Sequence, residues 1–387
     1  MLANLTDGMD IMIMSYVATA LAAEWRISAG TLGLIFSAGI IGMIVGAFAI
    51  APMADRLGRR PVILGCFCLA AIGTLGATLA HDVATLCLFR IVAGVGIGAT
   101  LPISSAFAAE MAPAGRGGVW IGIAQAGYPL GAILTGGAVA LSINLVGWRG
   151  CLFGAFIVTA TMVPICAIWL PESLRFRQVS GSMSAMRGKA RLAGLFDGPL
   201  RMATPLLWIA VFFTFGTLYF ILSWLPRLMS LSGLPPALAI IAGSVYNVGA
   251  IVGTLLLPRI ALRRSLSRSI AAFLLGGAIL LAGFAIVSVP FALRLALAAG
   301  LGFLLQGGFN GFYGLAVRLY PPEMRGTGLG LAIGFGRIGS MVAPLCAGLI
   351  LDRNIPIATL FQGFALCLGL AALLTMLIRA PQAGSGH

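Results

Sequence analysis

Apolar residues do not alternate with polar ones along this chain; they run together in long blocks separated by short polar turns. A block of roughly 20 apolar residues is long enough to cross the hydrocarbon core of a bilayer as a helix. Twelve such blocks are present, at approximately 1–23, 32–51, 61–80, 83–107, 118–141, 150–170, 204–225, 237–258, 267–287, 292–317, 326–350 and 357–378. The pattern predicts an all-α membrane protein of twelve transmembrane helices. Glycine and proline are frequent inside the blocks, as in helices that pack closely in lipid. The sharpest punctuation is Ala51-Pro52-Met53-Ala54-Asp55-Arg56-Leu57-Gly58-Arg59-Arg60, a charged turn between two blocks. A turn this polar cannot stay in hydrocarbon, so the chain emerges into water there and turns back.

Charge orients the pattern. With both termini on the cytoplasmic side, seventeen of the 24 lysines and arginines fall in inner segments and five in outer loops (Arg26, Arg149, Arg227, Arg294 and Arg353), as the positive-inside rule requires. The net charge of +14 is thereby explained by orientation and by anionic headgroups, and not by nucleic acid. At 60% hydrophobic and 9% charged residues, with a mean hydropathy of +1.07, the chain is excluded from the soluble class. Seven cysteines, all within apolar blocks and without C-x-x-C spacing, give neither a disulfide frame nor a metal site. With two histidines and no nucleophile–base pair or metal cluster in view, an enzyme is not expected.

The blocks fall into two sets of six. The one long polar segment, 171–203, is a basic central loop between an N-terminal bundle (1–170) and a C-terminal bundle (204–378), followed by a cytoplasmic tail (379–387). Arg116-Gly117 recurs 209 residues on as Arg325-Gly326, and the same offset sets Pro113 on Pro322, Gly127 on Gly336 and Arg59 on Arg268. A constant register of this kind marks two copies of one unit. The second copy of the charged turn has lost its acid, because Asp55 corresponds to Arg264. Only the first turn, with Asp55, Arg56, Arg59 and Arg60, is expected to form an acid–arginine latch at a cytoplasmic gate.

Four charges lie inside blocks: Asp7, Asp10, Arg90 and Arg337. Each costs about 2.5–3.5 kcal/mol at the centre of a span on insertion scales, so each calls for a partner or a watery cavity. Asp7 and Asp10 are three residues apart and share a helix face, where mutual repulsion favours holding a proton on one of them. Arginine keeps its charge and presents a planar fork that fits a carboxylate. Arg90 has two readings, as a structural partner of Asp7 or Asp10 or as a substrate contact. Arg337 has no acid in its own half of the membrane interior, which points to a carboxylate substrate. The stripe Arg90, Gly94, Gly98 reads as a close-packing face. Tyr128, the repeat counterpart of Arg337, is expected to face the same cavity, with Tyr219, Asn247 and Asn310 shaping a pocket for a flat aromatic molecule.

The Asp55-Arg56-x-Gly58-Arg59-Arg60 turn resembles the signature loop of the major facilitator superfamily, with Ala51 where a glycine is usual. More specifically, Asp7-Gly8-Met9-Asp10, Tyr219 through Pro226, Leu170-Pro171-Glu172-Ser173, and Tyr320 through Gly328 with Gly336-Arg337-Ile338-Gly339 are similar to the aromatic acid:proton symporter family. The resemblance implies the major facilitator fold, two six-helix halves rocking about a site near the midplane, a plan of which that superfamily is itself the standard example. It further implies proton coupling through Asp7 and Asp10 and substrate binding through Arg90 and Arg337. The expected protein is a monomeric, multi-pass transporter of the bacterial inner membrane. It would import a small organic, and by the resemblance aromatic, carboxylate with protons, driven by the proton gradient without a cofactor. A proton-driven exporter of drugs or metabolites is the alternative on the same fold, and a non-transporting membrane sensor a more distant one.

The first block is short ahead of its acids. Nine residues precede Asp10, and at 1.5 Å per residue they cover about 13 Å, under half of the hydrocarbon core. The repeat register maps the start of the seventh block to a position before Met1, so an upstream start adding at least six residues is expected.

Overall fold

The computed structural model describes residues 1–111, 126–170, 194–198, 200–261, 265–284, 290–321 and 324–378. The described residues form helices and connecting turns, with no strand among them. In chain order the long helices are α1 (Leu2–Trp25), α2 (Ala29–Val45), α3 (Arg59–Leu79), α4 (Val83–Met111), α5 (Gly127–Trp169), α6 (Leu200–Leu231), α7 (Pro236–Ala261), α8 (Leu266–Phe284), α9 (Phe291–Leu319), α10 (Arg325–Asp352) and α11 (Ile357–Leu377). Ten are long and apolar enough to cross a membrane; α1, which buries Asn4, Thr6, Asp7 and Asp10, is not in that set.

Local chemistry sets the helix ends. Ser28, in extended conformation, caps α2 by accepting from Thr31 N at 3.2 Å. Asp82 accepts from Thr85 N at 2.8 Å and Thr85 Oγ1 at 2.7 Å at the start of α4, and these bonds hold its carboxyl below its ordinary pKa. The turn at 51–60 is itself largely helical, a 3-10 turn (Ala51–Met53) and one α-turn (Ala54–Leu57) that end at Gly58, whose φ of 95° suits glycine.

The fifth and sixth apolar blocks were expected to be separated by an outer loop at 142–149. The structure instead carries helix through both and breaks it only at Gly147 (φ 68°, ψ −178°), a conformation that a Cβ forbids. The chain reverses there. The 127–146 arm runs beside α1, with Gly127 under the Met1 carbonyl and Gly131 under that of Leu5. The 148–169 arm returns along α3, from Arg149 Nη2 on Ala80 O (3.3 Å) to Arg60 Nη2 on Ala167 O (2.5 Å).

Two compact units are present. The first comprises Met1–Ser182 with Leu222–Ser244 and Pro344–Asp352. In it α1 packs on the first arm of α5, and α4 packs on both α2 and α3. Val62, Ile63, Cys66 and Phe67 of α3 meet Ala99 and Ile103 of α4 and Met162 of α5 in one of its cores. Small residues set the α2–α4 spacing: a Cβ on Gly94 would strike Gly39 O, and one on Gly98 would strike Met43 O. The second unit comprises Met183–Ile221, Val245–Ala343 and Arg353–His387, in which α8 packs on α9 and α11.

Candidate functional site

In the first unit α1 presents a polar face to α4. Arg90 grips Asp10 with both arms of its guanidinium, Nη1 to Oδ1 at 2.8 Å and Nη2 to Oδ2 at 3.0 Å, and Nη2 also reaches Asp10 O at 3.4 Å. Both side chains are 5% exposed. Further along the same two helices, Ser104 Oγ donates to Asn4 Oδ1 at 3.2 Å. Room for the guanidinium comes from Gly39 of α2, where a Cβ would stand 3.0 Å from Arg90 Nη2. A bidentate pair this deep satisfies both charges where neither could remain alone. Asp7 is also buried. Between the two aspartates Gly8 lies against the backbone carbonyl of Tyr128, so Tyr128 sits beside the acids at the start of α5.

In the second unit Arg337 is placed differently. It is nine-tenths buried on α10, and its Nη1 has no hydrogen-bond partner; among the described residues it forms no ion pair. The glycines on either side bring α10 onto α6, Gly336 against Val211 and Phe215 and Gly339 against Phe212 O. Ser340 Oγ donates to Arg337 O at 2.7 Å, which leaves the guanidinium uninvolved. Tyr219 is buried on α6 and stacks on Phe215, with centroids 6.2 Å apart and rings 6° from parallel. Phe215 in turn meets Phe309 edge-on at 4.6 Å, and Phe309 meets Tyr313 at 5.9 Å. Asn247 is buried on α7, whereas Asn310 Nδ2 is spent on Thr254 Oγ1 at 2.7 Å, joining α9 to α7. A small apolar recess of about 10 Å³, room for a single water, lies among Val211, Phe215, Phe309, Phe312, Tyr313 and Ala332. Its lining is apolar and does not include Arg337.

At the charged turn, Arg60 ties α3 to the end of α5 through Ala167 O. The side chains of Asp55 and Arg56 lie outside the described residues, as does Arg116. Arg59 begins α3 and is half-buried. No group of histidine, cysteine or acidic residues among those described is placed to hold a metal ion.

Three features have no counterpart in the sequence reading. Trp148 Nε1 donates to Glu24 Oε2 at 2.7 Å while Arg149 bonds Glu24 and lies over the Trp148 ring at 4.3 Å, pinning the Gly147 reversal to the end of α1. Tyr16 OH donates to Ala132 O at 3.2 Å on the α1–α5 face. Asp352, the last residue of α10, reaches the start of α2.

With this geometry in hand, relatives can be placed beside it. The model of the Major Facilitator Superfamily matches residues 1–344, and the chain belongs to that superfamily. Its resemblance to the aromatic acid:proton symporters is shown by the curated proteins it matches. The chain is 32% identical to the 3-(3-hydroxy-phenyl)propionate transporter of Escherichia coli (90% of this chain, 85% of the relative). It is 30% identical to the gentisate transporter of Corynebacterium glutamicum (96% and 83%) and 28% identical to the gallate transporter of Pseudomonas putida (92% and 85%). Among solved structures a D-xylose–proton symporter superposes with a TM-score of 0.79 at 18% identity, covering 97% of this chain and 95% of the other. The inward-open xylose transporter of E. coli gives 0.76 at 18% identity, over 99% and 96%. These neighbours establish the helical fold; the superfamily and the curated relatives make the protein a multi-pass membrane transporter and not an enzyme.

Proposed function

We propose that this protein carries a small aromatic carboxylate together with protons into the cell by alternating access. The observation that carries the reading is Arg337: a permanent cation, nine-tenths buried, with a free Nη1 and without an acid partner among the described residues. Leaving such a charge uncompensated is costly, and a carboxylate is the group whose geometry its fork fits. Tyr219 and Asn247, buried in the same unit, suit an aromatic ring and its polar substituents. The gallate, gentisate and hydroxyphenylpropionate named for three relatives are all, or ionise to, carboxylates borne on an aromatic framework, which supports this substrate class.

Proton coupling falls to the other arginine. Asp10 neutralises Arg90 in the present arrangement. A proton on Asp10 removes that counter-charge and leaves Arg90 to seek another anion, so proton and substrate are linked through one guanidinium. Asp7, one helical turn away, is the second acid of the relay. In this reading the two arms of α5 count as separate passes, giving twelve with both termini cytoplasmic and the basic segments inside, in a monomer of the bacterial inner membrane that needs no cofactor.

The test is uptake into proteoliposomes by the purified protein. Labelled gallate, gentisate, 4-hydroxybenzoate and an aliphatic acid of similar size are offered with an imposed inward proton gradient, an outward one, or none. Accumulation of an aromatic acid that follows the inward gradient and collapses with a protonophore is the expected result. Accumulation only under the outward gradient identifies an exporter, and saturable binding without flux a sensor.

A further inference from the structure

The end of α2 remote from the charged turn is held by a residue more than three hundred positions away. Asp352 Oδ2 accepts from Ser28 Oγ at 2.8 Å and from Gly30 N at 2.9 Å, and Oδ1 accepts from Ala29 N at 2.8 Å. One carboxylate thus takes up two of the backbone donors that the first turn of α2 leaves open, and it does so where the helix dipole is positive. Its place on its own helix is the reverse. Asp352 is the last residue of α10, where a negative charge faces the negative end of the dipole. No local preference puts an acid there; the contact with α2 is what rewards it.

The backbones beneath the latch are built for contact. A Cβ on Gly30 would press on Asp352 Oδ2, one on Gly33 would stand 2.6 Å from Pro344 O, and one on Gly348 would strike Ala29 O. The same seam continues inward. Trp224 Nε1 donates to Pro344 O at 3.1 Å, Phe36 meets the Trp224 ring edge-on at 5.5 Å, and Ser15 Oγ donates to Ser223 O at 2.8 Å. The Phe36–Trp224 and Ser15–Ser223 contacts and the glycine contacts join a helix of the first sequence repeat to the end of α6 or α10 from the second, the Trp224–Pro344 bond ties those two ends to each other, and all lie within the first compact unit.

We infer that Asp352 is the latch of an outer gate: its three bonds to the start of α2 hold this seam shut, and they break when the seam opens to admit substrate. This rests on the reading that the protein works by alternating access, and it adds a second charged gate residue at the opposite end of α2 from Asp55. The carboxylate is suited to the task because capping bonds to backbone donors and one hydroxyl are exchangeable for water. The apolar and glycine contacts below supply close fit without a further charge.

The experiment reads the seam directly. Ser15, fully buried in it, is changed to cysteine in a protein whose seven native cysteines are replaced by alanine or serine. Modification by a membrane-impermeant methanethiosulfonate is timed in right-side-out and inside-out vesicles. Asp352→Ala is expected to speed modification of Ser15→Cys by about fivefold or more from the outer side, the size expected for removing one charged helix cap from a two-state equilibrium. Ser28→Ala, which removes one of the three bonds, should give a smaller rise. Thr159→Cys, buried in the second arm of α5 away from the seam, is the control and should not change. An unchanged rate at Ser15→Cys, or an equal rise at Thr159→Cys, overturns the latch. Should Asp352→Ala not accumulate, Asp352→Asn is measured by the same criteria, since it removes the charge and keeps one acceptor. None of these readings needs a substrate, so a failure of aromatic acid uptake leaves the result standing. A rise confined to inside-out vesicles keeps the latch and reverses the orientation.

Discussion

Arg90 and Arg337 are both buried arginines on membrane helices, and their surroundings differ in one respect that decides what each is for. Arg90 is clasped by Asp10 through two short hydrogen bonds, and Gly39 leaves it room. Arg337 has a buried Nη1 with nothing to bond and no acid among the described residues. The first is a closed account of charge within the protein. The second is complete only with something that the protein does not contain. Burial alone therefore does not mark a candidate binding residue; burial without a counter-ion is the feature on which the proposal for Arg337 rests.

The comparison is most open to attack through stability. Arg90→Ala strands Asp10 and should lower unfolding stability by about 3–5 kcal/mol, while Arg337→Ala removes a lone buried charge and should leave stability unchanged or raise it. Thermal unfolding in detergent of both variants checks this, and a similar loss in the two would erase the distinction. Next comes Arg337→Lys, which keeps the charge and loses the fork. It should weaken apparent affinity for an aromatic acid by roughly ten- to a hundredfold, the worth of one charge-assisted hydrogen bond, at unaltered stability. Concentration dependence of uptake is the measurement.

Asp10→Asn sharpens the other side. It keeps a polar partner for Arg90 but cannot cycle a proton, so pH-driven accumulation should vanish while substrate-for-substrate exchange continues. Full accumulation by this variant would move coupling away from Asp10. The smallest effect belongs to an ion pair in water. Arg149 holds the Glu24 carboxyl below its ordinary value of 4.5, with added help from Trp148. A carboxyl with a lowered folded pKa adds stability above its unfolded value and loses it as the pH falls through the folded one. Glu24→Gln should therefore cost about 0.2–1 kcal/mol at neutral pH and nothing well below pH 4, in unfolding measured across that range.

The helices were legible because lipid demands unbroken apolar length, and the two buried arginines because charge in such a run is conspicuous. The glycine stripe of α4 was legible too: Gly94 and Gly98 do meet the α2 backbone. Other parts of the site were not. Asp7 and Asp10 lie on one face, and the choice of Asp10 by Arg90 depends on the axial offset of α1 against α4, which no local spacing encodes. Asn310 read as a pocket residue beside Tyr313, yet its amide joins α9 to α7 through Thr254. Asp352 was not singled out at all, because its significance lies in a helix start far away in the chain. The break between the arms of α5 falls inside the expected 142–149 segment, but there a single glycine turns the chain where a loop was expected.

That glycine has a mechanical consequence. With one residue at Gly147 serving as the whole connection, the two arms of α5 have no slack between them, and Trp148 and Arg149 fasten the bend to Glu24 of α1 and to Ala80 at the end of α3. A push at the far end of the returning arm, where Arg60 holds Ala167, cannot be absorbed by a lengthening loop. It is transmitted around the hinge into α1, the helix that carries Asp10. The arm pair thus joins the charged turn to the helix of Asp10 without a loop between, and slack introduced at Gly147 would loosen that link.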